Sequence, residues 1–209
     1  MKKLVDVNKL SEPAKRMYER FMKETNPCVN VSGNFDITHL YRLKKKGHSL
    51  NALICYSVLM AAEKIDEFHY RIGEDGNLYY YDHCKTNAVI KGDDNGLYYA
   101  DYKFFDNFLD FEKQYKKINE ICKTKCEHFS EDNGSLIATS AIINYPFTSI
   151  SLEQSNTFWD NFVLWGSCEK KLLKVKLNMS LRFHHALIDG EHAGMFFKLL
   201  QHIMNTLTI

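Results

Sequence analysis

The sequence predicts an α/β fold, a two-layer sandwich in which helices cover one face of a mixed β-sheet. One observation behind this prediction is the alternation of apolar and polar residues over positions 172–183, which is typical of a strand with one buried face. A second is the helical spacing of apolar residues over positions 49–63 and 105–126. Because helical and extended segments follow one another along the chain, we expect them to share one core.

The first half of the chain is predicted to contain three helices and five strands. Ser11 is a suitable N-cap with Pro13 in the first helical turn, and Asp36 and Ser49 are suitable caps for the next two helices. The helices are predicted over residues 11–24, 36–47 and 49–63, and the strands over residues 29–35, 69–72, 78–81, 87–90 and 97–102.

The second half is predicted to contain two helices and three strands. The helix over residues 105–126 has its apolar residues on one side and lysines on the other, so the lysines are expected to face solvent. Strands are predicted over residues 136–143, 162–165 and 172–183. Asp189 is a good N-cap for the last helix, and Gly190 is expected to give the chain freedom to turn there.

Composition and charge favour a single domain, residues 1–209, that binds a small molecule. A chain of 209 residues can remove about 70% of its unfolded surface from water. Lys and Arg number 27 against 26 Asp and Glu, so the net charge of +1 gives no reason to expect nucleic acid or an anionic membrane as partner.

Neither a membrane span nor a signal peptide is predicted. The longest apolar run, near residues 58–62, is far shorter than the roughly 20 residues that a helix needs to cross a bilayer. The basic start at residues 1–3 is soon followed by Val-Asn-Lys at residues 7–9, so no signal-peptide core is expected. We therefore expect the protein to be cytoplasmic, with its six cysteines reduced.

The cysteines give only weak reason to expect a metal. Cys122 and Cys126 lie four residues apart on a predicted helix, with His128 close behind, which raises a zinc hypothesis. A structural zinc site needs four ligands, and no second cysteine pair has suitable spacing. We expect no metal.

A histidine pair stands between the long alternating strand and the last helix. If the alternation continues, His185 falls on the apolar face and His184 on the polar face. Imidazole in water has a pKa of about 6.5, so a ring held in a partly apolar pocket can accept a proton at neutral pH and return it. His185 is therefore the candidate general base.

Two other interpretations of this segment remain open. A histidine at a strand end is often an ordinary hydrogen-bonded residue. A metal site is also conceivable, but neighbouring strand residues point to opposite faces, which disfavours a shared ion. The ligands of that site would be His184, His185, Asp189, Glu191 and His192.

Residues 184–192, His-His-Ala-Leu-Ile-Asp-Gly-Glu-His, resemble the active-site signature of the type A chloramphenicol acetyltransferases. Condensation domains of peptide synthetases share the core of this signature, but their chains are about twice as long. Further stretches resemble the same family in order and spacing, namely residues 35–38 (Phe-Asp-Ile-Thr), 67–72, 78–82, 140–141 (Ser-Ala) and 147–149 (Phe-Thr-Ser).

The resemblance implies the CoA-dependent acyltransferase fold and a homotrimer with active sites between subunits. It implies that His185 takes the proton from an acceptor hydroxyl as that oxygen attacks the thioester of acetyl-CoA, and that Ser140 donates to the oxyanion. Asp189 and Gly190 would support the site, with Asp189 paired to an arginine of the first helix. Chloramphenicol is the implied acceptor, and no metal takes part.

The first helix departs from the family pattern. Ala14 stands where the resemblance places the arginine that pairs with Asp189. Tyr18 and Phe21 fall on the family's aromatic acceptor positions, but Arg20 falls beside them, and a charge is unusual next to an apolar antibiotic. The aspartate therefore needs another partner or must depend on its cap.

Three more positions bear on the acceptor side. Cys28 falls near the pocket-lining cysteine of the family. Leu164 replaces a threonine that holds a water, and Arg182 replaces the glutamine before the signature. Two alternatives to chloramphenicol acetylation therefore stand: the same chemistry on a different hydroxyl or amine acceptor, or a catalytically silent trimer that binds a small molecule.

Overall fold

The computed structural model describes residues 1–142, 144–151 and 159–209. Five α-helices are found in this part of the chain: α1 (Glu12–Phe21), α2 (Thr38–Lys45), α3 (Leu50–Ala62), α4 (Phe108–Lys125) and α5 (Gly190–Thr206). The strands found there are β1 (Lys2–Leu4), β2 (Cys28–Asp36), β3 (Tyr70–Ile72), β4 (Leu78–Tyr81), β5 (Cys84–Lys91), β6 (Leu97–Lys103), β7 (Ser135–Ala141), β8 (Asn161–Trp165), β9 (Glu169–Lys171) and β10 (Lys174–His184).

The large sheet is mixed, as predicted. Its strand order is β2-β10-β8-β7-β5-β6, with β9 paired to β10. The pairs β8–β7 and β7–β5 are parallel, whereas β2–β10, β10–β8 and β5–β6 are antiparallel. Helices α2 to α5 contact one another and this sheet, and their apolar faces form the main core. The α/β prediction is confirmed.

A second, three-stranded sheet with the order β1-β4-β3 was not predicted. Its strand β1 is only three residues long and fully exposed, so it carries no alternation that a sequence pattern could detect. Beside this sheet, Tyr18 of α1 packs with Ile72, Leu78 and Ala186 in a small apolar cluster. This cluster lies next to the histidine pair, because Ala186 directly follows it.

The ends of several elements differ from prediction. The strand expected from residue 172 begins at Lys174, because Leu172 and Leu173 form the exposed tip between β9 and β10, and Leu172 has a left-handed φ of 51°. α1 ends at Phe21 rather than near residue 24, and α4 begins at Phe108 after its cap Asn107. The predicted end of the strand at Ile143 lies outside the described residues.

The predicted helix starts are mostly confirmed by hydrogen bonds. The hydroxyl of Ser11 accepts from the amide of Ala14, that of Ser49 accepts from Ala52, and Asp189 caps α5. The carboxylate of Asp36 accepts from the Thr38 amide, although the residue at the cap position of α2 is Ile37. In the described part of the chain, no helix is both long and apolar enough to cross a membrane.

Candidate active site at the histidine turn

The histidine pair lies where β10 ends and the chain turns towards α5. In the register of β10 with β2, His184 is opposite Cys28, and the amide of His185 donates to the carbonyl of Pro27 at 2.8 Å. The amides of Leu187 and Ile188 both donate to the carbonyl of His184, at 3.0 and 3.1 Å. Backbone hydrogen bonds therefore fix the position of His185 from both sides.

Two buried side chains anchor this turn in different cores. Ala186 is 3% exposed and packs in the small cluster with Tyr18, whereas Ile188 is fully buried in the main core. Each anchor removes apolar surface from water, which stabilises the turn by about 25 cal/mol for each Å² buried. The turn is thus held between the large sheet and the small one.

The ring of His185 stacks on an aromatic side chain of α1. The ring centroids of Phe21 and His185 are 4.0 Å apart and the planes differ by 12°, which is a stacked arrangement. The residue is half-buried, and its Nδ1 atom is buried with no hydrogen-bond partner within the described residues. A buried nitrogen without a hydrogen bond lowers the free energy of unfolding by roughly 1–3 kcal/mol, so this position destabilises the folded protein.

His184 has a different environment. It is 1% exposed, its Nδ1 accepts from the amide of Ala186 at 3.1 Å, and Trp159 packs edge-on to its ring. Burial, aided by the neighbouring His185, lowers the pKa of His184 from 6.5 to about 4. His184 is therefore neutral at pH 7 and serves as a hydrogen-bond acceptor that shapes the turn.

The lowered pKa of His184 predicts a stability change with pH. The unfolded chain binds the proton below about pH 6.5 while the folded chain does so only near pH 4, so stability falls as the pH falls between these values, by up to about 3 kcal/mol. His184→Asn keeps an acceptor near the Nδ1 position but cannot titrate. We expect denaturant unfolding of this variant to show a smaller loss of stability across the window. Parallel pH profiles for the two proteins would contradict the assignment.

Asp189 caps α5 and is satisfied without an arginine. Its Oδ1 accepts from the amides of Glu191 and His192 at 2.9 and 3.0 Å, and His192 Nδ1 in turn accepts from the Asp189 amide at 3.3 Å. The Asp189 side chain is 38% exposed, so it is not the buried, unpaired carboxylate that the sequence allowed. His192 is its cationic partner whenever that ring is protonated.

Ala14 faces the region where the resemblance had placed the arginine. A cavity of about 400 Å³ lies between α1 and the start of α5, and Ala14, Glu67, Asp189 and His192 are among its lining residues. The small side chain of Ala14 therefore leaves open space next to the Asp189 cap. The sequence showed that the expected arginine beside Asp189 is missing. It did not predict that His192 and Glu67 lie next to that carboxylate.

Gly190 is not required by the turn itself. A Cβ atom at this position would meet nothing within 4 Å, and the residue does not have a left-handed φ. The freedom to turn that the sequence suggested for Gly190 is thus not used in this backbone conformation, and its support of the site stays a prediction. The N-terminal turn of α5 is set by the Asp189 cap instead.

The predicted acceptor residues of α1 and β2 lie close to His185. Phe21 stacks on its ring, Arg20 lies with its guanidinium carbon 5.2 Å from the Phe21 ring centre, and Cys28 begins β2 beside the histidine pair. Burial raises the pKa values of the Tyr18 phenol and the Cys28 thiol, the latter partly offset by Arg182. Both groups therefore stay protonated, which suits pocket walls rather than nucleophiles.

Ser140 is not brought next to His185 within one chain. It is half-buried on β7 and pairs with Leu164 of β8, which in turn pairs with Ser180 of β10. Ser180 precedes His185 by five residues, so the two candidates are about 16 Å apart along the strand and about 10 Å apart across the sheet. No side-chain rotation closes this gap.

Arg182 is buried in the sheet rather than facing a water-filled pocket. It is 2% exposed, one of its terminal nitrogens donates to the carbonyl of Asp160 at 3.0 Å, and its guanidinium lies over the ring of Phe162. Leu164 is also buried, at 7% exposure. The two departures are thus adjacent in the sheet, with Arg182 paired to Phe162 and Leu164 to Ser180.

One group of potential metal ligands comes together in the described part of the chain: Glu63, His69 and Cys84, whose ligand atoms lie within 4.8 Å of one another. The His69 nitrogens already contact the carbonyls of Tyr81 and Glu63, at 2.9 and 3.2 Å, and the Glu63 carboxylate accepts from the Cys84 amide at 2.8 Å. We assign no metal role to this group. Among the described residues, neither ligand set considered from the sequence is assembled in this way.

Comparison with known proteins agrees with the geometry. A family model described as chloramphenicol acetyltransferase matches residues 2–201. The chloramphenicol acetyltransferase of Clostridium butyricum is 22% identical over 209 residues, covering 96% of this chain and 93% of that protein. One from Staphylococcus aureus is 24% identical over 187 residues, covering 84% and 87%.

Solved structures show the same fold. A chloramphenicol acetyltransferase structure aligns with a TM-score of 0.82 and 23% identity, over 98% of this chain and 100% of that chain. The dihydrolipoamide acetyltransferase of Azotobacter vinelandii aligns with a TM-score of 0.67 and 16% identity, over 97% and 90%. Since the family model spans nearly all of the sequence that carries the histidine turn, this chain belongs to the chloramphenicol acetyltransferase family, a family of acyltransferases.

Proposed function

We propose that residues 1–209 act as one acetyl-CoA-dependent O-acetyltransferase domain with chloramphenicol as the leading acceptor. The observation that carries this proposal is the placement of His185: a half-buried imidazole, fixed by backbone hydrogen bonds at a strand end and stacked on Phe21. A ring in this setting keeps one orientation and is partly shielded from water, which is what a general base for an alcohol needs. We also propose that the protein is cytoplasmic, because its six cysteines are free and thiols stay reduced in that compartment.

The proposed reaction is direct transfer without an acyl-enzyme. Because Nδ1 of His185 is buried, we assign the proton exchange to Nε2. Nε2 takes the hydroxyl proton as the acceptor oxygen bonds to the thioester carbonyl carbon of acetyl-CoA. When the C–S bond breaks, the imidazolium returns that proton to the departing thiolate, so the products are the acetyl ester and CoA.

Ser140 is proposed to donate its hydroxyl to the oxyanion of a site completed by a second copy of the chain. The separation of Ser140 from His185 within one chain supports this arrangement, since the two residues meet only if different copies supply them. A cyclic homotrimer repeats one such interface three times, and we propose that assembly. Tyr18, Phe21 and Cys28 are proposed to contact the acceptor.

Release of free thiol from acetyl-CoA tests the proposed function. The assay is run with chloramphenicol and with a panel of other hydroxyl and amine compounds, each with an acceptor-free control. Turnover with chloramphenicol supports the leading proposal, and turnover only with other compounds supports a changed acceptor. No thiol release with any acceptor would indicate a silent binding protein.

The position of Arg20 favours a second candidate acceptor, a hydroxyl compound that carries a carboxylate or phosphate. Its guanidinium lies over Phe21, which stacks on His185, so the cation is within about 9 Å of the proposed base. Guanidinium groups bind such anions through paired hydrogen bonds. Such an acceptor would bind Arg20 through its anionic group and place its hydroxyl at His185.

Arg20→Gln tests this second candidate. We expect the variant to raise KM for an anionic acceptor by about 10- to 100-fold, because a charge-assisted hydrogen bond is worth roughly 1.5–3 kcal/mol. The matched control is Arg16→Gln, the same charge change at another exposed position of α1. Equal KM values for anionic acceptors in all three proteins would contradict a role for Arg20.

A further inference from the structure

His192 lies between two carboxylates that come from different parts of the chain. Its Nδ1 is 3.0 Å from Oδ1 of Asp189, and its Nε2 is 3.3 Å from Oε1 of Glu67. The His192 side chain is 22% exposed and that of Glu67 is 35% exposed, so both are only partly in solvent. Interactions between such groups are screened less than those between fully exposed ones.

The hydrogen bonds around His192 indicate which ring nitrogen carries the proton when the ring is neutral. The Asp189 amide donates to Nδ1 at 3.3 Å, so Nδ1 carries the lone pair and the ring proton is on Nε2, facing Glu67. Protonation of Nδ1 exchanges that amide bond for a charge contact with Asp189. In either state Nε2–H faces the Glu67 carboxylate, so the contact with Glu67 is kept.

Glu67 belongs to an element that also contacts α5 through the stacked rings of Phe68 and Phe196. It lies in the 3-10 helix Asp66–His69, which leads directly into β3 of the small sheet. His192 lies in the first turn of α5, three residues after Asp189 and seven after His185. The Glu67–His192 contact therefore ties the small-sheet side of the molecule to the helix that follows the histidine turn.

The other charged and polar groups that face this cavity are acidic or uncharged. Asp66 and Glu67 face the cavity from the 3-10 helix, Tyr18 from α1, Tyr70 from β3 and Asp189 from α5. None of these lining groups is a cation, and Ala14 adds no charge. Among the described residues that line this cavity, the ring of His192 is thus the one basic group.

We propose that His192 is a positioning residue, which holds the turn of His185 in place by linking Asp189 to Glu67. This inference rests on the proposed role of His185 as base. The link acts through the cap of α5: the ring fixes the Asp189 backbone on one side and is itself fixed by Glu67 on the other. Loss of the link lets the turn shift relative to Phe21 and the small sheet.

One substitution of His192 and one of Glu67 remove the contact between them from its two sides. His192→Asn keeps an acceptor near Nδ1 for the Asp189 amide but cannot reach Glu67, whereas Glu67→Ala removes the same contact from the other side. We expect each to lower kcat about tenfold with little change in KM for acetyl-CoA, since small misplacements of reacting groups reduce rates steeply. The double variant is expected to be no slower than either single one, because all three lack the same contact.

Rescue and a spectroscopic measurement make the test specific. Ala14→Arg places a long cation in the cavity beside Asp189, and in the His192→Asn protein it is expected to restore most of kcat. Nitrogen NMR of the histidine rings reports on position without turnover: the His185 signals are expected to move in His192→Asn and Glu67→Ala. The control is Glu191→Gln, an exposed charge change in the same helical turn, which is expected to leave them unmoved.

Each outcome bears on one proposal. Unmoved His185 signals and unchanged kcat in both link variants would overturn the positioning role while leaving the proposed function intact. Additive losses in the double variant would also overturn it. If wild type releases no thiol with any acceptor, the proposed function fails, and the NMR shifts still decide whether His192 positions the His185 ring.

Discussion

Replacement of His185 by alanine is expected to remove nearly all acetyl transfer, with a loss of about 10²- to 10⁴-fold in kcat, because a positioned general base contributes a rate factor of that order. The assay is thiol release from acetyl-CoA at saturating acceptor. The turn itself should survive, since its backbone bonds to Pro27 and His184 involve no atom of the imidazole.

The matched control is His202→Ala, which removes an exposed imidazole from the same helix that follows the turn. It is expected to keep wild-type turnover. Size-exclusion chromatography of the His185→Ala protein should show the same assembly as wild type. Appreciable turnover by the His185→Ala protein would refute the assignment of the base.

Removal of the Ser140 hydroxyl is expected to lower kcat by about 10²-fold, which corresponds to roughly 3 kcal/mol of lost transition-state stabilisation. The hydroxyl is proposed to act only on the charge that develops in the intermediate, so KM for acetyl-CoA should change little. Ser151→Ala, at an exposed serine, is the control. A negligible loss in Ser140→Ala would mean that another group holds the oxyanion.

A mixture of two inactive variants tests whether each site combines two chains. In a co-expressed mixture of Ser140→Ala and His185→Ala proteins, about a quarter of the interfaces pair an intact serine with an intact histidine if the copies assemble at random. We therefore expect activity near that fraction of wild type, far above either variant alone. Activity no greater than that of the separate variants would contradict a shared site.

The sequence was sufficient for those features that depend on neighbours along the chain. The alternation before His184 correctly predicted a strand with its apolar residues from Val175 to Leu181 buried on one face. The expectation of a single buried face was wrong for the second half of the strand, where Ser180, Arg182 and His184 are buried as well. The cap of α5 by Asp189 was also predicted, because its hydrogen bonds reach only to the next three residues. The exposed tip at Leu172 was missed because two leucines extend the apolar pattern into a turn.

Features that depend on distant residues were not predictable in this way. The contact of His192 with Glu67 joins positions far apart in the chain, and no local pattern pairs them. The stack of Phe21 on His185 likewise depends on where α1 packs, which no local pattern in the sequence specifies. The lowered pKa of His184 follows from burial on the face that the pattern marked as polar.

The position of β10 within the large sheet has a consequence for how the protein loses its activity. This strand is hydrogen-bonded to β2 on one side and to β8 and β9 on the other. Amide protons in a strand that is enclosed in this way exchange with solvent only when large parts of a protein open together. The end of this strand at His184 pairs with Cys28 of β2, and His185 follows directly, so catalytic competence should be lost no later than the large sheet opens.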